Sequence, residues 1–210
     1  MNPMAKASSR LDPLPPERSP ELKPQFDSFY QTLGFVPNSV LTMQRKPKLV
    51  AAFVAMQRAI WDPDSKVDRG FKRIIAHVAS RTAGDPYSMA HTASGALHFG
   101  IAEDKLAAAW DHRASSLFSA AETAALDLAV AASSLPNAVT DGMFAELRGH
   151  WSDEEIVEIV ATIAMAGFLA RWNTTLATPL EPEPLATGRR YLAPLGWSPG
   201  AHECPEPAAL

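Results

Sequence analysis

The chain has 210 residues, 47% of them hydrophobic and 20% charged, which is enough apolar material for one buried core and too little length for two full domains. Nineteen Lys and Arg against 23 Asp and Glu leave a net charge of -4 with no basic block, which excludes the long-range footprint of a nucleic-acid binder. The lone cysteine, Cys204, excludes an internal disulfide, a Cys-x-x-Cys redox pair and a cysteine zinc cage.

Residues 1–20, MNPMAKASSRLDPLPPERSP, contain no apolar signal core, and no 18-residue stretch of the chain escapes charged or polar interruption. A cytoplasmic protein without a membrane partner is expected. Pro3, Pro13, Pro15, Pro16 and Pro20 predict that this stretch runs as an extended arm. From residue 21 to 176 the chain reads helical. Helices are expected near Glu21–Leu33, Lys48–Trp61, Arg69–Ala83, Tyr87–Phe99, Glu103–Trp110 and Asp141–His150, with apolar residues at three- and four-residue spacing as in Leu49, Phe53, Met56 and Ile60. Phe35–Asn38 reads as a turn before a helix. Ser119 with Glu122, and Ser152 with Glu155, have capping-box spacing and mark two more helix starts. Alternating β-branched runs bounded by hairpin turns are absent, so the fold class is all-α. Prolines return at 179, 182, 184, 194, 199, 205 and 207, which predicts a second extended arm over 177–210. That arm carries Arg189, Arg190, Tyr191 and Trp197, and its aromatics call for docking, either across a neighbouring subunit or on the chain's own body.

The stretch from Arg69 to Gly100 is the most informative. Gly84 suits the residue just past one helix, Asp85 the N-cap of the next and Pro86 its first turn, giving a helix–tight turn–helix. This motif resembles the alkylhydroperoxidase-D-like (AhpD-like) and carboxymuconolactone decarboxylase proteins. The resemblance extends over LGFVPNSVLTMQRKPKLVAAF (33–53), SRTAGDPYSMAHT (80–92), FSAAETAALDLA (118–129), WSDEEIVEIVATIA (151–164) and RWNTTLATPLEPEP (171–184), all similar to the peroxidase-related branch. It implies a compact multi-helix bundle over residues 21–176.

The resemblance also implies where chemistry sits. Placing GDPYS on the family's GCxYC puts Asp85 and Ser88 at the two cysteine positions, Arg73 at the position of the proton-relay Glu and Thr92 at the common His position. His91 matches a neighbouring His that many members of the branch carry. Reduction of a peroxide by this family's route needs one thiolate to attack the O–O bond and a second thiol to resolve the sulfenic acid, which a carboxyl and a hydroxyl cannot replace. Cys204, in a Pro-rich arm without a partner cysteine, reads as an inert exposed thiol.

The residues themselves add detail. Ser88 and His91 are three apart and share a helix face, with His98 seven residues beyond His91 on nearly the same stripe. Arg73 and His77, four apart on the preceding helix, also share a face. The expected catalytic set is His91, Ser88 and Asp85, with the imidazole as general acid–base. Arg73, His77, Tyr87, Trp172 and Asn173 are expected to contact substrate, Arg73 as a fixed cation for a carboxylate. Against these stand plainer roles: Asp85 as an N-cap, His91 as a packing residue, Arg73 as a surface cation and Trp172 as core. No metal and no cofactor is expected, because His77, His91 and His98 lack ligand spacing. Three function classes remain. They are a cofactor-independent lyase or isomerase acting by acid–base chemistry on a small carboxylated or carbonyl compound, an antioxidant peroxidase, and a non-catalytic ligand-binding member. The resemblance further implies a homo-oligomer, a dimer or a trimer of dimers.

Overall fold

The computed structural model describes residues 9–203; Cys204 lies outside them. Ten α-helices follow in order: α1 (Lys23–Leu33), α2 (Asn38–Met43), α3 (Pro47–Ile60), α4 (Arg69–Thr82), α5 (Pro86–His98), α6 (Glu103–Ala108), α7 (Ala120–Ser133), α8 (Asp141–Arg148), α9 (Asp153–Leu176) and α10 (Pro182–Thr187). Among the described residues there is no strand, and no helix is long and apolar enough to cross a membrane. Both capping boxes form, with Ser119 and Ser152 each bonded reciprocally to the Glu three residues on. These caps satisfy backbone donors that the first helical turn leaves without partners.

Helix α4 lies at the centre and packs against α5, α7 and α9. Its Phe71, Ile74, Ile75 and Val78 are buried against Ala90, Ala93 and Ala96 of α5, Leu126 and Ala129 of α7, and Ile156, Ile159 and Ile163 of α9. The three alanines of α5 lie on one face and let α4 approach closely, which brings side chains on the rims of the two helices within reach of each other. Burial of each large aliphatic side chain contributes about 1.5–3 kcal/mol. A second apolar cluster, built from Phe26 and Phe29 of α1, Val40 and Met43 of α2, Val50, Phe53 and Val54 of α3 and Met165 of α9, covers the opposite flank. Lys72 is fully buried and joins the two parts: its ammonium donates to Ile60 O at 2.7 Å and to Ser65 Oγ, and pairs with Glu158 Oε2 at 3.0 Å. That clamp fixes the rotation of α4 about its axis and so the direction of its neighbour Arg73.

The two proline-rich segments depart from the expected extended arms. Residues 16–18 and 20–22 form single 3-10 turns, Leu22 enters the second cluster, and Arg10 bonds the carbonyls at the end of α9. The C-terminal segment forms α10, a π-helical turn (Gly188–Leu192) and two 3-10 turns, of which α10, the π-helical turn and the Gly200–His202 turn pack on the chain's own α5. Leu192 is fully buried, and Trp197 fills the space beside Gly188 while donating its Nε1–H to Pro86 O at 3.1 Å. Proline count misleads here because proline is tolerated in a first helical turn, and Pro182 begins α10. Within the chain, Trp197 of this segment packs on α5.

Candidate functional site

The turn between α4 and α5 is built as its residue types dictate. Gly84 takes a left-handed φ of 69°, Asp85 caps α5 by accepting from Ser88 N at 3.2 Å, and Pro86 opens the helix. Asp85 is fully buried, and its Oδ2 has no partner. Burial pushes its carboxyl above the ordinary value, against opposing bonds to Ser88 and the attraction of His202. Beside it, Asn173 of α9 donates from Nδ2 to Ser88 Oγ at 3.3 Å while its own Oδ1 is unpartnered. Asp85, Ser88 and Asn173 thus form a buried polar nest.

One turn along α5, His91 meets a residue that sequence reasoning did not single out. Its Nε2 lies 2.6 Å from Glu181 Oε2. Glu181 stands just before α10, and its other oxygen accepts from Tyr87 Oη at 2.7 Å and from the backbone N–H of Asn38 at the start of α2. Burial acts to raise the carboxyl of Glu181, but the His91 charge and these donors outweigh it and leave its pKa lowered. An ionised carboxylate offers only lone pairs, so Nε2 of His91 carries the proton. The Nδ1 of the ring has no protein partner among the described residues. Tyr87 stacks on the ring at 4.4 Å and Phe35 meets it edge-on at 6.0 Å, which fixes its plane. Burial, and then the nearby Glu181, push the Tyr87 phenol well up, so it stays a donor.

A cavity of about 930 Å³ opens between the two apolar clusters. Ser88, His91, Tyr87, Arg73 and Ser80 line it together with Phe29, Phe35, Phe53, Trp61 and Met165. The structure therefore gathers four of the expected site residues, Arg73, Tyr87, Ser88 and His91, on one cavity, with Asp85 and Asn173 directly behind Ser88. His98 is exposed and lines the same cavity.

Two expected contacts with substrate lie elsewhere. His77 is fully buried away from the cavity, where its Nε2 accepts from Trp110 Nε1 at 2.8 Å. Indole can only donate, so the proton sits on Nδ1, 3.1 Å from Met89 O. Helix spacing placed His77 on the face of Arg73, but four residues overshoot a full turn, and that offset turns it toward Trp110. Trp172 is half-buried, stacked at 6.2 Å on Phe168 within the second apolar cluster. The missed residue, Glu181, is 90 positions from His91 and has no spacing signature. It does fall inside the LEPEP segment that carries the resemblance.

A central helix pair with a capped turn, closed by a folded C-terminal segment, defines an AhpD-like all-α protein. The profile of the carboxymuconolactone decarboxylase family matches residues 47–131. Debrominase Bmp8, solved as a cysteine-to-alanine variant in complex with 2,3,4-tribromopyrrole, is 34% identical with a TM-score of 0.80, over 91% of this chain and 98% of that one. The AhpD core of an uncharacterized peroxidase-related protein from Ralstonia eutropha shares the fold, at 22% identity and a TM-score of 0.73 over 85% of this chain and 97% of that one. Uncharacterized protein YnjA of Escherichia coli is 37% identical over 78 residues, a match spanning 37% of this chain and 43% of YnjA. The chain belongs to the carboxymuconolactone decarboxylase family.

Burial, opposed by the Met89 bond and reinforced by Arg81, lowers the pKa of His77 from 6.5 to about 4. The unfolded chain therefore binds the extra proton first as pH falls. The contribution of this ring, about 3 kcal/mol, is complete above pH 6.5 and is lost as pH falls through about 4. Chemical denaturation of the wild type and of His77→Gln should show their stability difference changing in the acid-sensitive direction over that window. A difference independent of pH between 7 and 4 would mean that the ring is not held neutral.

Proposed function

We propose that this protein is a cofactor-independent acid–base enzyme acting on a small carboxylated or carbonyl compound, with His91 as the principal proton carrier. The observation that carries this reading is the Glu181–His91 contact at the wall of a cavity large enough for a small molecule. With its Nε2–H held by Glu181, the ring has its Nδ1 lone pair free to remove a proton from a carbon beside a carbonyl. The electron pair of that C–H bond passes to the carbonyl oxygen, giving an enolate. Glu181 stabilises the imidazolium formed, and the Ser88 hydroxyl, which accepts from Asn173, has its own proton to donate to the developing oxyanion. Returning the proton to a different carbon gives isomerisation. For the carboxylate of a β-keto acid, loss of CO2 generates the enolate, and the carbon is protonated by the imidazolium that Nδ1 forms by first taking a proton from solvent, which completes decarboxylation. Asp85, whose carboxyl burial pushes above its ordinary value, supports Ser88 from behind. Arg73 is assigned to the anionic end of the substrate.

The similarity to Bmp8 supports a flat, ring-sized ligand, since the compound in that complex is a brominated pyrrole. Sulfur chemistry has less support, because Asp85 and Ser88 stand where the resemblance places the two cysteines and residues 1–203 contain no cysteine. A homo-oligomer is also proposed; Val157 on α9 and Leu135 after α7 are 67% and 84% exposed, apolar side chains suited to a subunit contact. Sedimentation equilibrium of the full chain should give a multiple of the 22.6 kDa chain mass, and a single-chain mass would contradict it.

Screening lactones, β-keto acids and enolisable acids for proton exchange or decarboxylation supplies the assay. In it, His91→Ala should lower kcat by roughly 10²- to 10⁴-fold with the fold intact. Glu181→Gln should lower it by roughly 10²-fold, because one amide oxygen cannot serve the three donors that the carboxylate serves. Hydroperoxide consumption with a dithiol reductant should be absent. Turnover unchanged in His91→Ala, or peroxidase activity that persists in Cys204→Ser, would overturn the proposal.

A further inference from the structure

The far end of the cavity carries a charge imbalance. Arg69 and Arg73 are four residues apart on one face of α4, and both line the cavity. Neither guanidinium forms an ion pair among the described residues. Instead each lies over an aromatic ring: Arg73 3.8 Å above Trp61 and Arg69 4.4 Å above Phe99. The Nε of each is shielded from solvent and has no partner. The lining residues as a whole include three arginines, Arg58, Arg69 and Arg73, against one carboxylate, Glu183. Burial and the like charge of Arg69 push Arg73 down to about 10, a cost that a bound anion would offset.

The position of the pair sets the size of the ligand. Arg73 crosses α5 at Gly95, where an added Cβ would meet its Cδ at 3.0 Å and its Nε at 3.1 Å. Gly95 is four residues beyond His91, a rise of about 6 Å along the helix, comparable to the span of one six-membered ring with its para substituents. The cavity walls include the apolar side chains of Phe29, Phe35, Phe53 and Leu169. Stacked guanidiniums with free N–H edges match a carboxylate in its own plane.

We propose that Arg69 and Arg73 form the anion subsite of this cavity and that its ligand is an aryl carboxylate, one ring long, with the carboxylate at the two guanidiniums and the opposite ring edge at His91. The orientation rests on the acid–base reading of His91, whereas the binding does not. Aryl ring and anion are both required. A short aliphatic acid cannot reach from the arginines to His91, and a neutral aryl compound leaves the cation pair uncompensated.

Calorimetric titration of the full chain at low ionic strength with benzoate, 4-hydroxybenzoate, acetate and benzyl alcohol tests this. Both aryl carboxylates should bind saturably, and acetate and benzyl alcohol at least about tenfold more weakly. Arg73→Gln should weaken benzoate by about tenfold or more, and Arg73→Lys, which keeps the charge and loses the planar fork, by less. Should Arg73→Gln fail to fold, Arg69→Gln at the start of α4 carries the same test. Binding should survive in His91→Ala. Retained binding with no loss of turnover in that variant would end the acid–base reading and leave the anion subsite standing. The subsite itself is overturned if neither aryl carboxylate binds saturably, if benzyl alcohol binds as tightly as benzoate, or if both arginine variants bind benzoate like the wild type.

Discussion

Glu181 is a buried carboxylate that receives donors from three side-chain or backbone groups on two helices, and much of the molecule is arranged to supply them. His91 and Tyr87 come from α5 and the Asn38 N–H from the start of α2. A buried carboxylate without such partners is strongly destabilising, so Glu181 requires α2 and α5 to meet at its position. Asn38 also donates from its side chain to Pro179 O, which fastens α2 to the same segment, and Leu180 N bonds His202 O farther along it. The C-terminal segment is therefore bound to the body by polar contacts at the site and by Leu192 and Trp197 beyond it. The same contacts determine the direction of His91 and the position of one wall of the cavity.

What could be read from the sequence follows the range of the interactions involved. The α4–α5 turn and both capping boxes were legible because Gly84, Asp85, Pro86, Ser119 and Ser152 act within three or four residues of themselves. The gathering of Ser88 and His91 on one side of α5 was legible from helix period, and the place of Arg73 from the resemblance. His77 was not, since its direction depends on Trp110, 33 residues away, whose indole claims the ring. Glu181 was hidden for the same reason at larger separation. The folding of the C-terminal segment was hidden by its prolines, which read as breakers although Pro182 occupies the helical turn that accepts one.

The polar nest under the cavity shows how Asp85 and Ser88 fit the turn between α4 and α5. Asp85 supplies the cap that α5 needs, and Ser88 is small enough to remain within reach of Asn173. Neither adds a soft nucleophile. One turn along lies the imidazole of His91, oriented by the carboxylate of Glu181 from the far end of the chain. At its other end the cavity is cationic, through arginines stacked on Trp61 and Phe99. The proposed proton carrier and the proposed anion subsite would suit a carbon acid that bears a charge away from its reacting atom.

Glu181 fixes the tautomer of His91 through the Nε2 contact. Long-range ¹H–¹⁵N correlation of the full chain, with His91 assigned through its Ala variant, reads that tautomer directly. The neutral ring should carry its proton on Nε2, leaving Nδ1 bare, and Glu181→Gln should release it into a mixture of tautomers. A wild-type ring protonated on Nδ1, or a tautomer unaffected by Glu181→Gln, would contradict that assignment.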